Sequence, residues 1–152
     1  MPRTQEDVES YLLALGRTYE SAGGTLVLTS GPLSSGQGST PIAIRVQPPI
    51  VELQLSIGAP PADAGRQLAL YQRLLELNAT DLLHSAYGIE NGEIVLTASL
   101  ELENLDRNEL EAVLADIDMA LLRHIGALRQ LATGQLATGQ PASGRLAGDP
   151  AG

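Results

Sequence analysis

The run from Leu74 to Leu105, LLELNATDLLHSAYGIENGEIVLTASLELENL, constrains the fold more than any other stretch of the chain. Inside it Glu90-Asn91-Gly92-Glu93 separates two apolar segments, and Asn-Gly is the dipeptide that tolerates the two positive φ angles of a type I′ hairpin turn. After the turn Ile94, Leu96, Ala98, Leu100 and Leu102 alternate with Val95, Thr97, Ser99 and Glu101, the period-two pattern of a strand with one face on a core. A strand of that kind needs neighbours on both sides, so the rest of the chain has to supply a sheet.

The flanking sequence does supply one. Thr25–Ser30 reads as a short strand, followed by a loop, GPLSSGQGST, too rich in Gly and Ser for regular structure. Ile42, Ile44 and Val46 alternate with Ala43 and Arg45. Beyond Pro48-Pro49, Val51, Leu53, Leu55 and Ile57 alternate with Glu52, Gln54 and Ser56. These are two half-buried antiparallel strands, and the proline pair, which cannot donate to a ladder, belongs in their turn or at an edge.

Three helices complete the pattern. The first spans about Thr4 to Ser21: Thr4 and Asp7 form a capping-box variant, Val8, Leu12, Leu15 and Tyr19 with Tyr11 give a buried stripe, and Ala22-Gly23-Gly24 ends it. The second spans about Ala62 to Leu77, where Leu68, Leu70, Tyr71, Leu74, Leu75 and Leu77 spread over more than one side of the helix. A surface helix that is apolar on two sides needs a second partner. Asn78 suits its C-terminal cap, since Asn tolerates the left-handed conformation. The third starts at Asp106 with Glu109 as capping partner and buries Leu110, Val113, Leu114, Ile117, Leu121, Ile125 and Leu128. The predicted order is α-β-β-β-α-β-β-α, an α+β fold with one antiparallel sheet packed against helices.

The expected division is a domain over 1–129 and a low-complexity tail over 130–152, where QLATG, QLATG, QPASG and RLAGD repeat with a period that suits neither helix nor strand. Its composition reads as a disordered tail. The alternative is that regularly spaced Leu131 and Leu136 form a short linear motif for this chain's own groove or a partner's.

Charge and composition narrow the partners. The net charge is −9, and all nine basic residues are Arg, which disfavours nucleic acid and leaves no polybasic segment for an anionic membrane. No cysteine is present, so disulfides, thiolate metal sites and cysteine nucleophiles are excluded. The polar start MPRTQEDVES does not resemble a signal peptide, and no apolar run is long enough to span a bilayer, so a cytoplasmic protein is expected.

No residue pattern announces chemistry. His84 and His124 with a carboxylate such as Asp81 form a conceivable metal site, yet neither HxH nor HExxH spacing occurs. A helix C-terminus explains His124 and a partly exposed loop His84. Of the acids Glu101, Glu103, Asp106, Glu109, Glu111, Asp116 and Asp118, most fall opposite the Leu110 to Leu128 stripe and read as a solvated face, where carboxyls lack the burial that general acid–base work requires. The Gly-Ser loop lacks the following helix and the Lys of a phosphate cradle, and Ser85 and Ser99 lack a nucleophile elbow. No cofactor and no enzymatic activity are expected.

The wording LLELNA, YGIENGEIVLTASLEL and ENLDRNELEAVLADIDMALLRHI resembles the C-terminal half of the type III secretion chaperone-like (CesT/YbjN) superfamily, clearly from about Gln72 to Leu128. NAT, AYGIE and LELENLD are closest to small uncharacterised cyanobacterial members. The resemblance implies a non-enzymatic homodimer that holds an extended segment of a client protein, as an assembly or regulatory chaperone. It implies a dimer interface at Leu68, Tyr71, Leu74 and Leu75 and client contacts near the edge strands at Ile42, Ile44 and Val51. The long Gly-Ser loop and the proline pair have no counterpart in the family pattern. A structural or adaptor subunit of a larger complex, and a small carboxylate- or His-dependent hydrolase or isomerase, are the alternatives.

Overall fold

A computed structural model describes residues 1–28 and 40–133. Most of the Gly-Ser loop, the end of the strand expected at Thr25–Ser30, and the repeats beyond Thr133 lie outside the described residues. Within them the order is α1 (Gln5–Ala14), β1 (Tyr19–Ala22), β2 (Thr25–Leu28), β3 (Ile42–Gln47), β4 (Ile50–Gly58), α2 (Ala64–Thr80), β5 (Ala86–Glu90), β6 (Glu93–Glu101) and α3 (Arg107–Thr133). The strands form one antiparallel sheet in the order β1-β2-β3-β4-β6-β5. The α+β architecture is the expected one, with one strand more.

The extra strand comes from the way α1 stops. Gly16 sits at φ 74, and the Arg17 N–H donates to the Leu12 carbonyl at 2.9 Å, the closing bond of a Schellman motif. Tyr19, expected on the helix stripe, therefore lies in β1, and the chain turns back into β2 over Gly23 and Gly24, at φ 57 and 84. The other end of α1 is as expected: the Asp7 N–H donates to Thr4 Oγ1 and the Thr4 N–H to Asp7 Oδ2.

Register fixes which face is core. Leu26 pairs with Ile44, Ile44 with Leu53, Leu53 with Ala98, and Leu96 with both Leu55 and Tyr87, so these residues share one side of the sheet. On that side α1 contributes Val8 and Leu12, α2 Leu70, Leu74 and Leu77, and α3 Leu110, Val113, Leu114, Ile117, Ala120 and Leu128 to one aliphatic core. The opposite side carries Thr25, Val27, Ala43, Arg45, Glu52, Gln54, Thr97 and Ser99 and takes no helix into that core. The hairpin forms as read, with Asn91 at φ 52 and Gly92 at φ 79. The turn between β3 and β4 holds Pro48-Pro49, joined by a cis peptide.

α3 continues to Thr133, four residues past the expected domain end, and Leu131 and Ala132 pack against the core. Its start is capped reciprocally: the Glu109 N–H donates to Asp106 Oδ1 at 2.9 Å and the Asp106 N–H to Glu109 Oε2 at 3.0 Å. Arg17 and Asp118 form an ion pair joining the end of α1 to α3.

Candidate partner surface and its polar corner

Helix α2 runs with Asp63 as N-cap, whose carboxylate accepts from the Arg66 N–H at 2.9 Å. Three- and four-residue spacing puts Leu70, Leu74 and Leu77 on the core and sets Leu68, Tyr71 and Leu75 along another side. Leu68 and Leu75, two turns apart, are 69% and 68% exposed, and Tyr71 is half-buried against the core. Leu74, expected beside them, is only 5% exposed and belongs to the core. Ile42, Ile44 and Val51 are core as well: they lie on the helix-covered face of two interior strands, which takes both their side chains and their strands' backbone out of a partner's reach.

The C-terminal end of α2 meets β5 in a polar corner. Asn78 is not the cap, because the helix continues to Thr80 with Asp81 as C-cap. Instead its carboxamide spans the backbone of Tyr87: the Tyr87 N–H donates to Asn78 Oδ1 at 2.8 Å and Asn78 Nδ2 donates to the Tyr87 carbonyl at 3.1 Å. The Tyr87 side chain reaches His124 of α3, with its hydroxyl 2.9 Å from Nδ1, and His124 Nε2 stands 3.0 Å from Asp81 Oδ2. Burial holds the Tyr87 phenol above its ordinary pKa, with Asp116 and Asp81 adding to the effect, so it keeps its proton. Asp81 is held below the usual carboxylate pKa by the bond from His124 and then by the Thr80 hydroxyl.

Asp116, expected on a solvated face, is 6% exposed. Its Oδ2 accepts from the Ser85 hydroxyl at 2.7 Å and from the N–H groups of His84 and Ser85 at 2.9 Å, and its Oδ1 accepts from the Leu83 N–H at 3.3 Å. Burial raises its pKa, but the Ser85 hydroxyl and the backbone donors together outweigh that and leave it lowered. This single carboxylate pins the loop between α2 and β5. Its burial was readable, because Asp116 stands three residues after Val113 and four before Ala120, inside the core stripe. The pairing of Asn78 with Tyr87 and of His124 with both Tyr87 and Asp81 had no sequence signal, since each joins residues far apart in pattern but adjacent in the fold.

The arrangement ties α2, β5 and α3 together. His84 is exposed, and although Asp81 does meet His124, no cluster of three His, Cys, Asp or Glu able to hold a metal occurs among the described residues. An apolar pocket of about 40 Å³ lies between Ile57, Leu70, Leu74, Ile94 and Leu128. An open cleft of about 470 Å³ lies between Tyr11, Ala14, Asp106 and Asn108. Neither of these two is lined by Asp81, Tyr87, Asp116 or His124. No helix among the described residues is long and apolar enough to cross a membrane.

Comparison with known proteins places the fold. The CesT_Tir_1 family model matches residues 1–134. Among solved structures, the heterodimeric ExoU–SpcU complex from the type III secretion system of Pseudomonas aeruginosa aligns with a TM-score of 0.61 at 17% identity, covering 80% of this chain and 96% of that one. YbjN from E. coli, described as a putative transcription regulator, aligns at 0.61 and 14% identity over 87% and 94%. The Yersinia pestis type III secretion chaperone SycH, solved with a stable fragment of YscM2, aligns at 0.51 and 14% identity over 77% and 96%. A search of curated proteins finds no match.

Proposed function

The chain belongs to the CesT_Tir_1 family, and from that premise we propose that it is a non-enzymatic, cytoplasmic binding protein that pairs with a second copy of itself and holds an extended segment of a client protein. The observation that carries the reading is the side of α2 bearing Leu68, Tyr71 and Leu75: two leucines about two-thirds exposed on a well-formed helix expose apolar area that a partner would remove from water. Two fold relatives were solved with a protein partner, which supports the client. The net charge of −9 favours a protein that stays soluble while exposing such a stripe.

The client contact is best sought where the single chain leaves groups open. Among the described residues the sheet ends at β1 and β5; Asn78 occupies the outward groups of Tyr87 on β5, so β1 is the edge that offers backbone N–H and C=O groups to an added extended segment. Leu75→Glu is the test of the pairing, with solution mass by light scattering as its measurement. The wild type is expected to be a dimer and the variant a folded monomer. A wild type that is monomeric at all concentrations overturns the pairing. Capture from native lysate, followed by binding of the purified candidate, then tests the client: a wild type that binds no protein directly overturns the chaperone reading.

A further inference from the structure

We infer that Asn78 is a side-chain plug that closes the β5 edge against β5 of a second copy of this chain, so that copies can meet on the α2 side helix to helix but not strand to strand. The helix contact rests on the pairing proposed above; the closure of the edge does not.

The hairpin geometry says which backbone groups of β5 face outward. With Asn91-Gly92 as a two-residue turn, Glu90 and Glu93 are the closing hydrogen-bonded pair, and outward-facing residues then alternate back along the strand: Ile89 and Tyr87 point away from β6, Gly88 and Ala86 toward it. At Tyr87 both outward groups are taken by the Asn78 carboxamide, one bond in each direction at 2.8 and 3.1 Å. This is the same reciprocal pair that a neighbouring strand would make, and a carboxamide is chemically a peptide unit carried on a side chain. Asn78 therefore stands where the next strand would stand.

Without it the edge is unusually open to its own copy. Edges are ordinarily protected by Pro, Lys, a bulge or a charge turned inward, and Ala86-Tyr87-Gly88-Ile89-Glu90 has none before its last residue. Antiparallel pairing of two β5 strands centred on Gly88 would set Tyr87 opposite Ile89 of the second copy, outward residue against outward residue. It would set Glu90 opposite Ala86, so no two carboxylates would meet. Ile89 is 55% exposed and would be covered. The occupied groups at Tyr87 stand against this register.

The experiment combines Asn78→Ala, and Asn78→Leu to keep side-chain volume, with Leu75→Glu and with Ile89→Pro. The proline removes only an outward N–H and is compatible with an edge. Amide exchange at Tyr87 and light-scattering mass across concentration are measured on the full chain. The wild-type Tyr87 amide is expected to be protected, and its exchange to be faster by about tenfold or more once the plug is gone. Either plug variant in the Leu75→Glu background is expected to associate with rising concentration, and Ile89→Pro to abolish that. A Leu75→Glu background that stays monomeric without Asn78, or a Tyr87 amide equally protected without it, overturns the inference. Loss of folding in both plug variants also overturns it, by making Asn78 a structural tie. The mass of the wild type against Leu75→Glu alone decides the dimer separately.

Discussion

Asp116 shows how one buried charge can organise a corner. Three backbone N–H groups and one hydroxyl converge on it, so Asp116→Ala leaves the two Ser85 donors unpaired in a buried place, and the unfolding free energy is expected to fall by about 2–3 kcal/mol in denaturant titration. Asp116→Asn keeps one acceptor and should lose less. The pH dependence has a definite sign. Because the folded pKa lies below the ordinary 3.8, the carboxylate stabilises at all higher pH, and that contribution disappears as pH falls below about 3.8 through the folded value. Acid unfolding of Asp116→Asn should lack this component; an unchanged acid limb would show that other carboxyls dominate. At His124 the partners select a tautomer. The Asp81 carboxylate only accepts, so Nε2 carries the hydrogen, and in the neutral ring Nδ1 accepts from the Tyr87 hydroxyl. Nitrogen chemical shifts of the neutral His124 ring should show the Nε2–H form, and the opposite tautomer would refute the orientation. None of this could be read beforehand from a histidine late in a helix, because Tyr87 and Asp81 reach it only through the fold.

Among the elements, legibility followed how local the deciding interaction is. The Asn91-Gly92 turn, the Thr4–Asp7 and Asp106–Glu109 caps and the period-two strands are settled within a few residues, and all formed as read. β1 was missed because Tyr19 continues the helical spacing of Val8, Leu12 and Leu15, while Gly16 ends the helix before that spacing matters. On α2 the composition showed two apolar sides but not which leucine faced which, and rotation about the axis is set by packing. That rotation yields a sharp contrast. Leu74→Glu places a charge in the core and should destabilise by more than about 4 kcal/mol, whereas Leu75→Glu, one residue on, should change the stability of the single chain itself by less than about 0.5 kcal/mol and act on the mass. Equal destabilisation by the two would mean that the helix faces are assigned incorrectly.

For the molecule as a whole, the last helical turn matters. Leu131 and Ala132 of the first QLATG unit pack on the core, so a chain ending at Thr133 should match the full chain in stability, while one ending at Arg129 should be weaker by about 1–2 kcal/mol in thermal or denaturant unfolding. Identical stabilities for the two truncations would favour the boundary at 129. The repeat reading follows the periodic Gly spacing, whereas packing of Leu131 depends on distant strands and helices that no local spacing shows.

With no Trp and no Phe, the chain carries its aromatic absorption in four tyrosines, and three of them, Tyr11, Tyr19 and Tyr71, are only partly covered. Tyr87 alone is buried, with its backbone clasped by Asn78 and its hydroxyl set against an imidazole. Near-ultraviolet dichroism requires a chromophore in a fixed, asymmetric setting, so Tyr87 should contribute to it, beside Tyr11 and Tyr19, whose hydroxyls bond the Leu105 carbonyl and Glu9. The corner between α2, β5 and α3 thus has its own optical reporter, free of any label.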